Sequence, residues 1–433
     1  MLKNKHIFLK KKILIYGLGK SGLSTYHYLK KNNFLYLFDD QKNLIKNSDI
    51  KKKLITFSDI IRKEFDHIIV SPGIDIKKCK LNKYLIQNLD KIYTDLDVFY
   101  SFHSDKKNIA VTGTNGKSTT VKIIYDILKD QKFDARLVGN IGNPILLEKR
   151  IKKKTIFVVE ASSYQLEYSK LFKAHFAVIL NISPDHLERH GNLRNYIKSK
   201  FKIIKNQSNK DVAFLNTKNR YIKKGIRENK VFSNIIRIDK NISTSVLNKI
   251  NNPYFFTEGN KENLSTVIEV LKKFNIKKNK IFKFLKNFKG LKYRQQIIYK
   301  SKKLTIINDS KATSYSSSIS ILKSLSNVFW IVGGIPKKGD KFLLSKKYCK
   351  TFQVYIFGKN QKLFLKQLKN KMYHQEFSKL SHLIKKISYD IKKEKNKKHK
   401  TILFSPAAAS FDSFKNFEDR GKKFNQLIKN LKK

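Results

Sequence analysis

The sequence contains 433 residues, 40% of them hydrophobic and 12% aromatic, which predicts two or three globular domains of about 100–200 residues each. Its apolar runs are shorter than the ~18 residues of a membrane-spanning helix, so a transmembrane protein is excluded. The formal net charge of +60 comes mostly from Lys spread along the chain with abundant Asn and Ile, as an A+T-rich coding sequence would produce, and by itself it identifies no nucleic-acid or membrane partner.

The N-terminus and the cysteines both indicate a cytoplasmic protein. The segment 1–9 is basic, and Lys10, Lys11 and Lys12 interrupt it before the apolar core of a signal peptide could form. Cys79 and Cys349 lie outside any Cys-x-x-Cys or His-rich context, so we expect neither a disulfide nor a structural zinc site.

Short apolar runs alternate with helical stretches, which predicts parallel sheets covered by helices. The predicted strands form three groups along the chain: 13–16, 35–38, 68–70 and 91–93, then 108–112, 155–159, 177–181 and 212–216, then 305–308, 328–332, 353–357 and 401–404. We therefore predict three α/β domains, with boundaries at 1–104, 105–290 and 291–433.

The strongest motif is Gly113-Thr114-Asn115-Gly116-Lys117-Ser118-Thr119, which joins a predicted strand to a helix. In this arrangement backbone N–H groups surround phosphates, and the helix dipole and the lysine add positive charge. Lys117 is predicted to reach the β- and γ-phosphates, and Ser118 or Thr119 to bind Mg²⁺. Because the loop is one residue shorter than the usual Gly-x-x-x-x-Gly-Lys-Ser/Thr pattern, it indicates a variant family of NTP-binding proteins.

A second glycine loop, Gly17-Leu18-Gly19-Lys20-Ser21-Gly22, also follows a strand, and Asp39 and Asp40 come about twenty residues later as in dinucleotide-binding folds. This pattern alone is weak, because it could bind NAD, bind another nucleotide diphosphate or be a close-packed turn. Since an ATP loop is already present, we favour a nucleotide-sugar diphosphate. The turn Ser71-Pro72-Gly73-Ile74 lies at the same sheet edge, as a ligand contact or an ordinary turn.

Two further polar positions follow strands of the central domain. Glu160 could hold Mg²⁺ near the phosphates, since hard cations prefer oxygen ligands, or be an exposed carboxylate. His186, in Asn181-Ile182-Ser183-Pro184-Asp185-His186, could bind a metal, contact the transferred phosphoryl group or be structural.

Together these motifs resemble the Mur ligases, ATP-dependent amide-forming enzymes of peptidoglycan precursor synthesis, over nearly the whole chain. The segments Asn308-Asp309-Ser310-Lys311-Ala312-Thr313 and 405–421 are similar to the branch that adds D-glutamate to UDP-N-acetylmuramoyl-L-alanine. The resemblance implies a Rossmann-like N-terminal domain, a central P-loop ATPase-like domain and a Rossmann-like C-terminal domain. It also implies an acyl-phosphate intermediate.

The resemblance further implies a role for particular residues. For ATP they are Gly113, Thr114, Asn115, Gly116, Lys117, Ser118, Thr119, Asn263, Arg294 and Asp309. For two Mg²⁺ ions they are Ser118, Glu160, His186 and Lys200, the last as a carbamylated lysine. For the UDP-sugar they are Lys20, Ser21, Asp39 and Asn140, and for D-glutamate Thr313, Lys337, Ser410 and Phe417. Lys117, His186 and Lys200 are the implied catalytic residues.

The chain departs from the family pattern at three places, one of which is Ser314, where the segment 308–313 is commonly followed by Asn. The usual Pro-His-Arg-x-Glu reads Lys292-Tyr293-Arg294-Gln295-Gln296, and the adenine-side Gly-x-His-Asn-x-x-Asn is reduced to Gly259-Asn260-Lys261-Glu262-Asn263, without the histidine.

Two other readings remain open. A folylpolyglutamate-synthase-like ligase would share the ATP domain, but the first glycine loop and the segment 405–421 oppose it. A basic P-loop protein that binds nucleic acid is favoured by charge alone. We expect a monomeric, cytoplasmic enzyme that has neither a nucleic-acid partner nor a membrane span.

Overall fold

The structure, a computed structural model, describes residues 7–41, 47–238, 242–393 and 398–431. The first six residues, which belong to the basic N-terminal segment, lie outside these ranges. The described residues form three sheets and two compact units, one of Met1–Lys240 with Ser265–Lys277 and the other of Asn241–Leu264 with Lys278–Lys433. The predicted α/β fold class is confirmed, while the exact domain boundaries stay predictions.

The first sheet has four parallel strands in the order β2-β1-β3-β4. Its strands are β1 (Lys12–Tyr16), β2 (Phe34–Phe38), β3 (His67–Val70) and β4 (Ile92–Tyr93), and its helices are α1 (Lys20–Leu29), α2 (Ser48–Lys51), α3 (Phe57–Arg62), α4 (Asn82–Gln87) and α5 (Asp95–His103). The carboxyl ends of parallel strands meet at one sheet edge, so the loops after β1, β2 and β3 lie together there.

The second sheet belongs to the same unit and has six parallel strands in the order β10-β9-β8-β5-β7-β6. Its strands are β5 (Asn108–Thr112), β6 (Ala135–Gly139), β7 (Ile156–Glu160), β8 (Phe176–Ile179), β9 (Val212–Leu215) and β10 (Asn234–Arg237). The helices that follow in the chain are α6 (Lys117–Asp130), α7 (Ser163–Glu167), α8 (Leu187–His190), α9 (Leu193–Lys205), α10 (Arg220–Glu228), α11 (Thr244–Ile250), α12 (Glu258–Lys272) and α13 (Lys278–Lys286).

One carboxylate fixes the position of the first sheet relative to the second. Asp97, on α5, is fully buried, and its Oδ1 accepts hydrogen bonds from the hydroxyl of Ser169 (2.8 Å) and the backbone N–H groups of Lys170, Leu171 and Phe172 (2.9, 2.8 and 3.1 Å). A buried charge is stable only when it is satisfied in this way. The two glycine loops therefore belong to one packed unit.

The third sheet lies in the second unit, in the order β11-β12-β16-β13-β14-β15, and only the β11–β12 pair of its described strands is antiparallel. Its strands are β11 (Gln296–Lys300), β12 (Leu304–Asn308), β13 (Val328–Gly333), β14 (Phe352–Phe357), β15 (Tyr373–Phe377) and β16 (Lys400–Phe404), and its helices are α14 (Tyr315–Leu322), α15 (Gln361–Leu368), α16 (Leu380–Lys393) and α17 (Phe417–Leu427). Apolar cores cover both faces, around Trp330 on one and Phe404 on the other.

The predicted strands all form, with ends shifted by a few residues. Within the described ranges, four strands were not predicted from the sequence: β6, β10, β11 and β15. They are the outer strands of the two six-stranded sheets, where one side lacks a partner strand and apolar content is lower. A search of the described residues finds no helix that is both long and apolar enough to span a bilayer.

Candidate active site

The loop between β5 and α6 has the backbone geometry of a phosphate-binding turn. Gly113 and Gly116 adopt φ of +155° and +86°, which residues with a Cβ rarely adopt. The backbone N–H of Thr114 donates to the carbonyl of Asn181 (2.9 Å), and that of Asn115 donates to the side-chain oxygen of Asn181 (2.9 Å). Asn181, in the segment after β8, therefore fixes the position of the loop at the N-terminus of α6, and helix N-termini are sites where anions bind.

Tyr196, on α9, fixes the same loop from the other side. Its hydroxyl lies 3.1 Å from Oγ1 of Thr114, which also accepts a hydrogen bond from the backbone N–H of Ser183 (3.0 Å). Lys200 comes four residues later on α9, so Tyr196 and Lys200 share a helix face. The Nζ of Lys200 lies 4.5 Å from the centre of the Tyr196 ring.

Two lysine side chains converge on the loop. The Nζ of Lys117 donates to the carbonyls of Gly113 (2.7 Å) and Thr114 (2.9 Å), and the Nζ of Lys200 donates to the same Gly113 carbonyl (2.9 Å). Lys200 is fully buried, and burial, followed by the nearby charge of Lys117, holds its pKa well below the usual value for lysine. The loop and the ammonium of Lys117 suit a multiply charged anion such as a triphosphate.

Glu160, at the end of β7, supplies the carboxylate beside the loop. It is almost fully buried; its Oε2 accepts from the hydroxyl of Ser118 (2.6 Å), and its Oε1 accepts from the side-chain amide of Asn140 (2.9 Å). Mg²⁺ prefers one or two protein oxygens completed by waters and phosphate oxygens, so the Ser118–Glu160 pair fits this ion. The described residues contain no group of three His, Cys, Asp or Glu that would hold a metal by protein groups alone.

His186 lies just before α8 in the left-handed conformation, with φ of +54°. Its Nδ1 is 2.8 Å from the hydroxyl of Tyr164, and its Nε2 is 3.4 Å from a carboxylate oxygen of Asp185. The ring is about one-third exposed, so it can still reach a ligand. Arg189, three residues later, pairs with Glu167 at 3.1 Å, which fixes this short helix against α7.

The first glycine loop is closely packed. The backbone N–H of Leu18 donates to Oδ2 of Asp39 (2.6 Å), and the hydroxyl of Ser71 donates to the carbonyl of Gly17 (2.5 Å). Lys20 and Ser21 begin α1 directly after this loop. The structure thus brings together three of the four residues predicted for the UDP-sugar, whereas Asn140 lies beside Glu160 on the second sheet.

In the second unit, Asp309 follows β12 and is buried. Its Oδ1 accepts from the backbone N–H of Gln295 (3.0 Å) and its Oδ2 from the hydroxyl of Ser405 (2.8 Å). Burial raises the pKa of this carboxyl to about 7. Arg294 precedes Gln295, so two of the residues predicted for ATP lie close together in this unit.

The four residues predicted for D-glutamate also belong to the second unit. The hydroxyl of Ser310 donates to the carbonyl of Phe417 (2.9 Å), and the ammonium of Lys311 lies 4.1 Å from the Phe417 ring centre. Ile335 and Ala409 exchange two backbone hydrogen bonds of 2.9 Å, which brings the segment before Lys337 beside Ser410. Thr313 is half-buried just before α14.

Arg420 holds these segments in place. It is fully buried, and its guanidinium donates to the carbonyls of Ser310 (2.7 Å), Ala408 (2.9 Å) and Gly333 (3.2 Å). Arg420, Tyr196 and Asn181 were not predicted from the sequence as site residues. Tyr196 lies one helical turn from Lys200, and Arg420 lies one helical turn from Phe417. Asn181 follows β8. These positions beside a predicted residue or a strand are the sequence signals that could have identified all three.

A phosphate loop, a buried carboxylate beside it and three sheets built mainly of parallel strands are the features of a nucleotide-dependent α/β enzyme. Residues 111–281 match the Mur ligase middle domain, and residues 11–92 match the Mur ligase MurD-like N-terminal domain. The UDP-N-acetylmuramoylalanine–D-glutamate ligase of Rickettsia felis is 33% identical over 97% of both chains, and that of Francisella tularensis is 32% identical over 97% of this chain and 96% of its own.

Solved structures share the fold at low sequence identity. UDP-N-acetylmuramate-alanine ligase MurC from Thermotoga maritima has a TM-score of 0.54 and 17% identity over 97% of this chain and all of its own. MurF from Acinetobacter baumannii has a TM-score of 0.56 and 17% identity over 76% of this chain and 78% of its own. The chain belongs to the Mur ligase family, whose members are ATP-dependent ligases that form amide bonds.

Proposed function

We propose that this enzyme joins D-glutamate to UDP-N-acetylmuramoyl-L-alanine with consumption of ATP. The similarity to D-glutamate ligases over 97% of the chain is the observation that carries the choice of substrates. The phosphate loop with its buried Ser118–Glu160 pair supports the use of ATP.

The reaction overcomes the poor reactivity of a carboxylate. The carboxylate of the L-alanyl group attacks the γ-phosphorus of ATP, the bond to the β-phosphate oxygen breaks, and ADP leaves. The resulting acyl phosphate has a good leaving group, and the amine of D-glutamate displaces phosphate to form the amide. Charge builds up on the transferred phosphoryl group, so fixed positive charge accelerates this step.

Lys117 supplies that charge from the chain. Its ammonium already lies on two loop carbonyls, 2.7 and 2.9 Å away. The backbone N–H groups of Gly116 and Thr119 are candidates to surround the phosphates, while Gly113 permits the turn and Thr114 and Asn115, whose N–H groups donate to Asn181, shape the loop around them. Two Mg²⁺ ions, when bound, would neutralise phosphate charge. Ser118 and Glu160 are the candidate ligands of one ion, and His186 and Lys200 of the other.

Lys200 serves as a ligand after carbamylation. The neutral amine attacks CO₂, the new N–C bond forms as one C=O π bond opens onto oxygen, and the nitrogen releases a proton to solvent, so a neutral amine becomes an anionic oxygen ligand. Burial favours the neutral amine, since it lowers the pKa of Lys200. The neighbouring charge of Lys117 then attracts the carbamate.

The remaining site residues divide by substrate. Lys20, Ser21 and Asp39 contact the UDP-sugar at the first glycine loop, and Asn140 contacts it from beside Glu160. In the second unit, Asn263, Arg294 and Asp309 contact the base, phosphates and ribose of ATP, and Thr313, Lys337, Ser410 and Phe417 hold D-glutamate. We also propose a monomeric, cytoplasmic enzyme, and analytical ultracentrifugation tests the first of these.

The deciding experiment measures ADP formation by the purified protein with UDP-N-acetylmuramoyl-L-alanine and one amino acid at a time. We expect turnover with D-glutamate and little with L-glutamate, L-alanine or diaminopimelate. Turnover with another amino acid in place of D-glutamate would overturn the substrate assignment. Mass spectrometry of intact protein prepared with ¹³C-bicarbonate and trapped by methylation tests the carbamate on Lys200.

A further inference from the structure

Gln295 lies at the centre of a hydrogen-bonded cluster in the segment that departs from the family pattern. Its backbone has φ of +48°, in the left-handed region, and its N–H donates to Asp309. Its side-chain Oε1 accepts from the hydroxyl of Thr257 and from the side-chain amide of Asn260, both at 3.1 Å. One residue thus connects two separate parts of the second unit's sequence.

The cluster continues through a chain of side-chain amides. The Nδ2 of Asn260 donates to Gln295 and to the carbonyl of Tyr254 (2.8 Å), which leaves the Oδ1 of Asn260 to accept from the Nδ2 of Asn263 (3.3 Å). Asn260 and Asn263 are both buried. An amide has one donor side and one acceptor side, so the orientation of each group in this chain sets that of the next.

The last amide in this series, that of Asn263, has an acceptor without a partner among the described residues. The Oδ1 of Asn263 is buried and has no hydrogen-bond partner among the described residues. Buried polar atoms usually have a partner, and this one requires a donor. The exocyclic amine of adenine is such a donor, whereas hypoxanthine has a carbonyl oxygen at the same ring position.

We propose that Gln295 is a positioning residue that sets the base preference of the nucleotide site. It acts through Asn260, whose amide orientation directs the oxygen of Asn263 towards the ligand, and it simultaneously holds the carboxylate of Asp309. This inference rests on the proposed function, because it takes Asn263 and Asp309 as nucleotide contacts. Gln295 stands at the x position of the family's Pro-His-Arg-x-Glu pattern, which specifies no residue type there.

Replacing Gln295 by Met tests the inference, because Met has similar volume and no acceptor. The amides of Asn260 and Asn263 then lose one of the contacts that fix their orientation. We expect the affinity for ADP to fall about tenfold, which corresponds to about 1.4 kcal/mol. The preference for ADP over IDP should fall as well, because the donor side of Asn260 then keeps its contact with the carbonyl of Tyr254 but loses Gln295, so that the acceptor side of Asn263 is directed at the base less firmly.

The measurement is isothermal titration calorimetry of ADP and IDP with the full-length protein, with the ratio of the two dissociation constants as the readout. A purely structural role would change both constants together and leave their ratio unchanged. Gln295→Glu keeps an acceptor at this position and should retain the wild-type ratio. Gln296→Met is the matched control, since the Oε1 of Gln296 accepts from the backbone N–H of Tyr293 rather than from the amide cluster, and it should also retain the ratio.

The outcomes separate the inference from the proposed function. Wild-type protein that fails to bind ADP overturns both. Wild-type protein that prefers ADP, together with a Gln295→Met variant of unchanged ratio, overturns only the role of Gln295. If the Met variant does not fold, the same ratio is measured for Thr257→Val and for Gln295→Glu, and a loss of preference in the Glu variant likewise contradicts the acceptor role.

Discussion

Replacing Glu160 by Gln removes one negative charge from the phosphate loop while keeping the side-chain volume. The carboxylate now accepts from Ser118 at 2.6 Å and from Asn140 at 2.9 Å. Because it is the acid at the end of β7 beside the loop, its loss should weaken Mg²⁺ binding directly. We expect kcat/KM to fall at least about 100-fold, since removing one preorganised electrostatic group costs roughly 10²–10³ in rate.

The same substitution should affect stability far less. Two hydrogen bonds to a charged group are weakened, but a buried negative charge is also removed, and these effects have opposite signs. The hydroxyl of Ser118 and the amide of Asn140 can both rotate to face the new amide. We therefore expect the free energy of unfolding without ligands to change by no more than about 2 kcal/mol, or roughly 8 °C in melting temperature.

Two measurements decide this prediction. The first is ADP formation as a function of Mg²⁺ concentration, and the second is the melting temperature of the ligand-free protein. Glu228→Gln is the control, because Glu228 pairs with Arg194 and Lys224 on the surface and its loss should change neither. A Glu160→Gln enzyme with the wild-type Mg²⁺ dependence would refute the metal site.

Three further predictions concern other parts of the chain. Gly22→Ala would place a Cβ 1.9 Å from the carbonyl of Gly17, so we expect a loss of several kcal/mol in denaturant unfolding, whereas Gly19→Ala, with open space around its Cβ, should be nearly neutral. The pKa of Asp309 is raised from 3.8 to about 7, so its stabilising contribution is complete below pH 3.8 and is lost as the pH rises to about 7. In urea unfolding between these pH values, the free energy of unfolding of the wild type should therefore fall by about 1.4 kcal/mol per pH unit relative to that of Asp309→Asn. If the two proteins showed the same dependence of this free energy on pH, burial would not raise the pKa of Asp309. Arg420→Met would leave three buried carbonyls without their donor and should cost about 3 kcal/mol or more, at roughly 1–3 kcal/mol for each unsatisfied group, with partial recovery in Arg420→Lys. An unchanged melting temperature would show that Arg420 does not hold these segments in place.

The sequence by itself determined the features that depend on neighbours along the chain. The phosphate loop was predictable because its glycines, lysine and hydroxyls are contiguous, and a strand-loop-helix unit forms from local signals. The inner strands were predictable too, since a strand buried on both faces is a continuous apolar run, as in β5 and β13. Such signals need no knowledge of the rest of the fold.

Only the tertiary structure decided which distant residues meet. The outer strands β10 and β11 have exposed or half-exposed residues, so their apolar pattern is weak, and their pairing comes from backbone groups of the neighbouring strand. Lys200 is one of 93 Lys and Arg residues, and the feature that distinguishes it, burial against the loop carbonyl of Gly113, arises from the packing of α9. Gln295 likewise acquires its contacts from residues far away in the sequence, because hydrogen bonds depend on distance in space, which the order of residues alone does not contain.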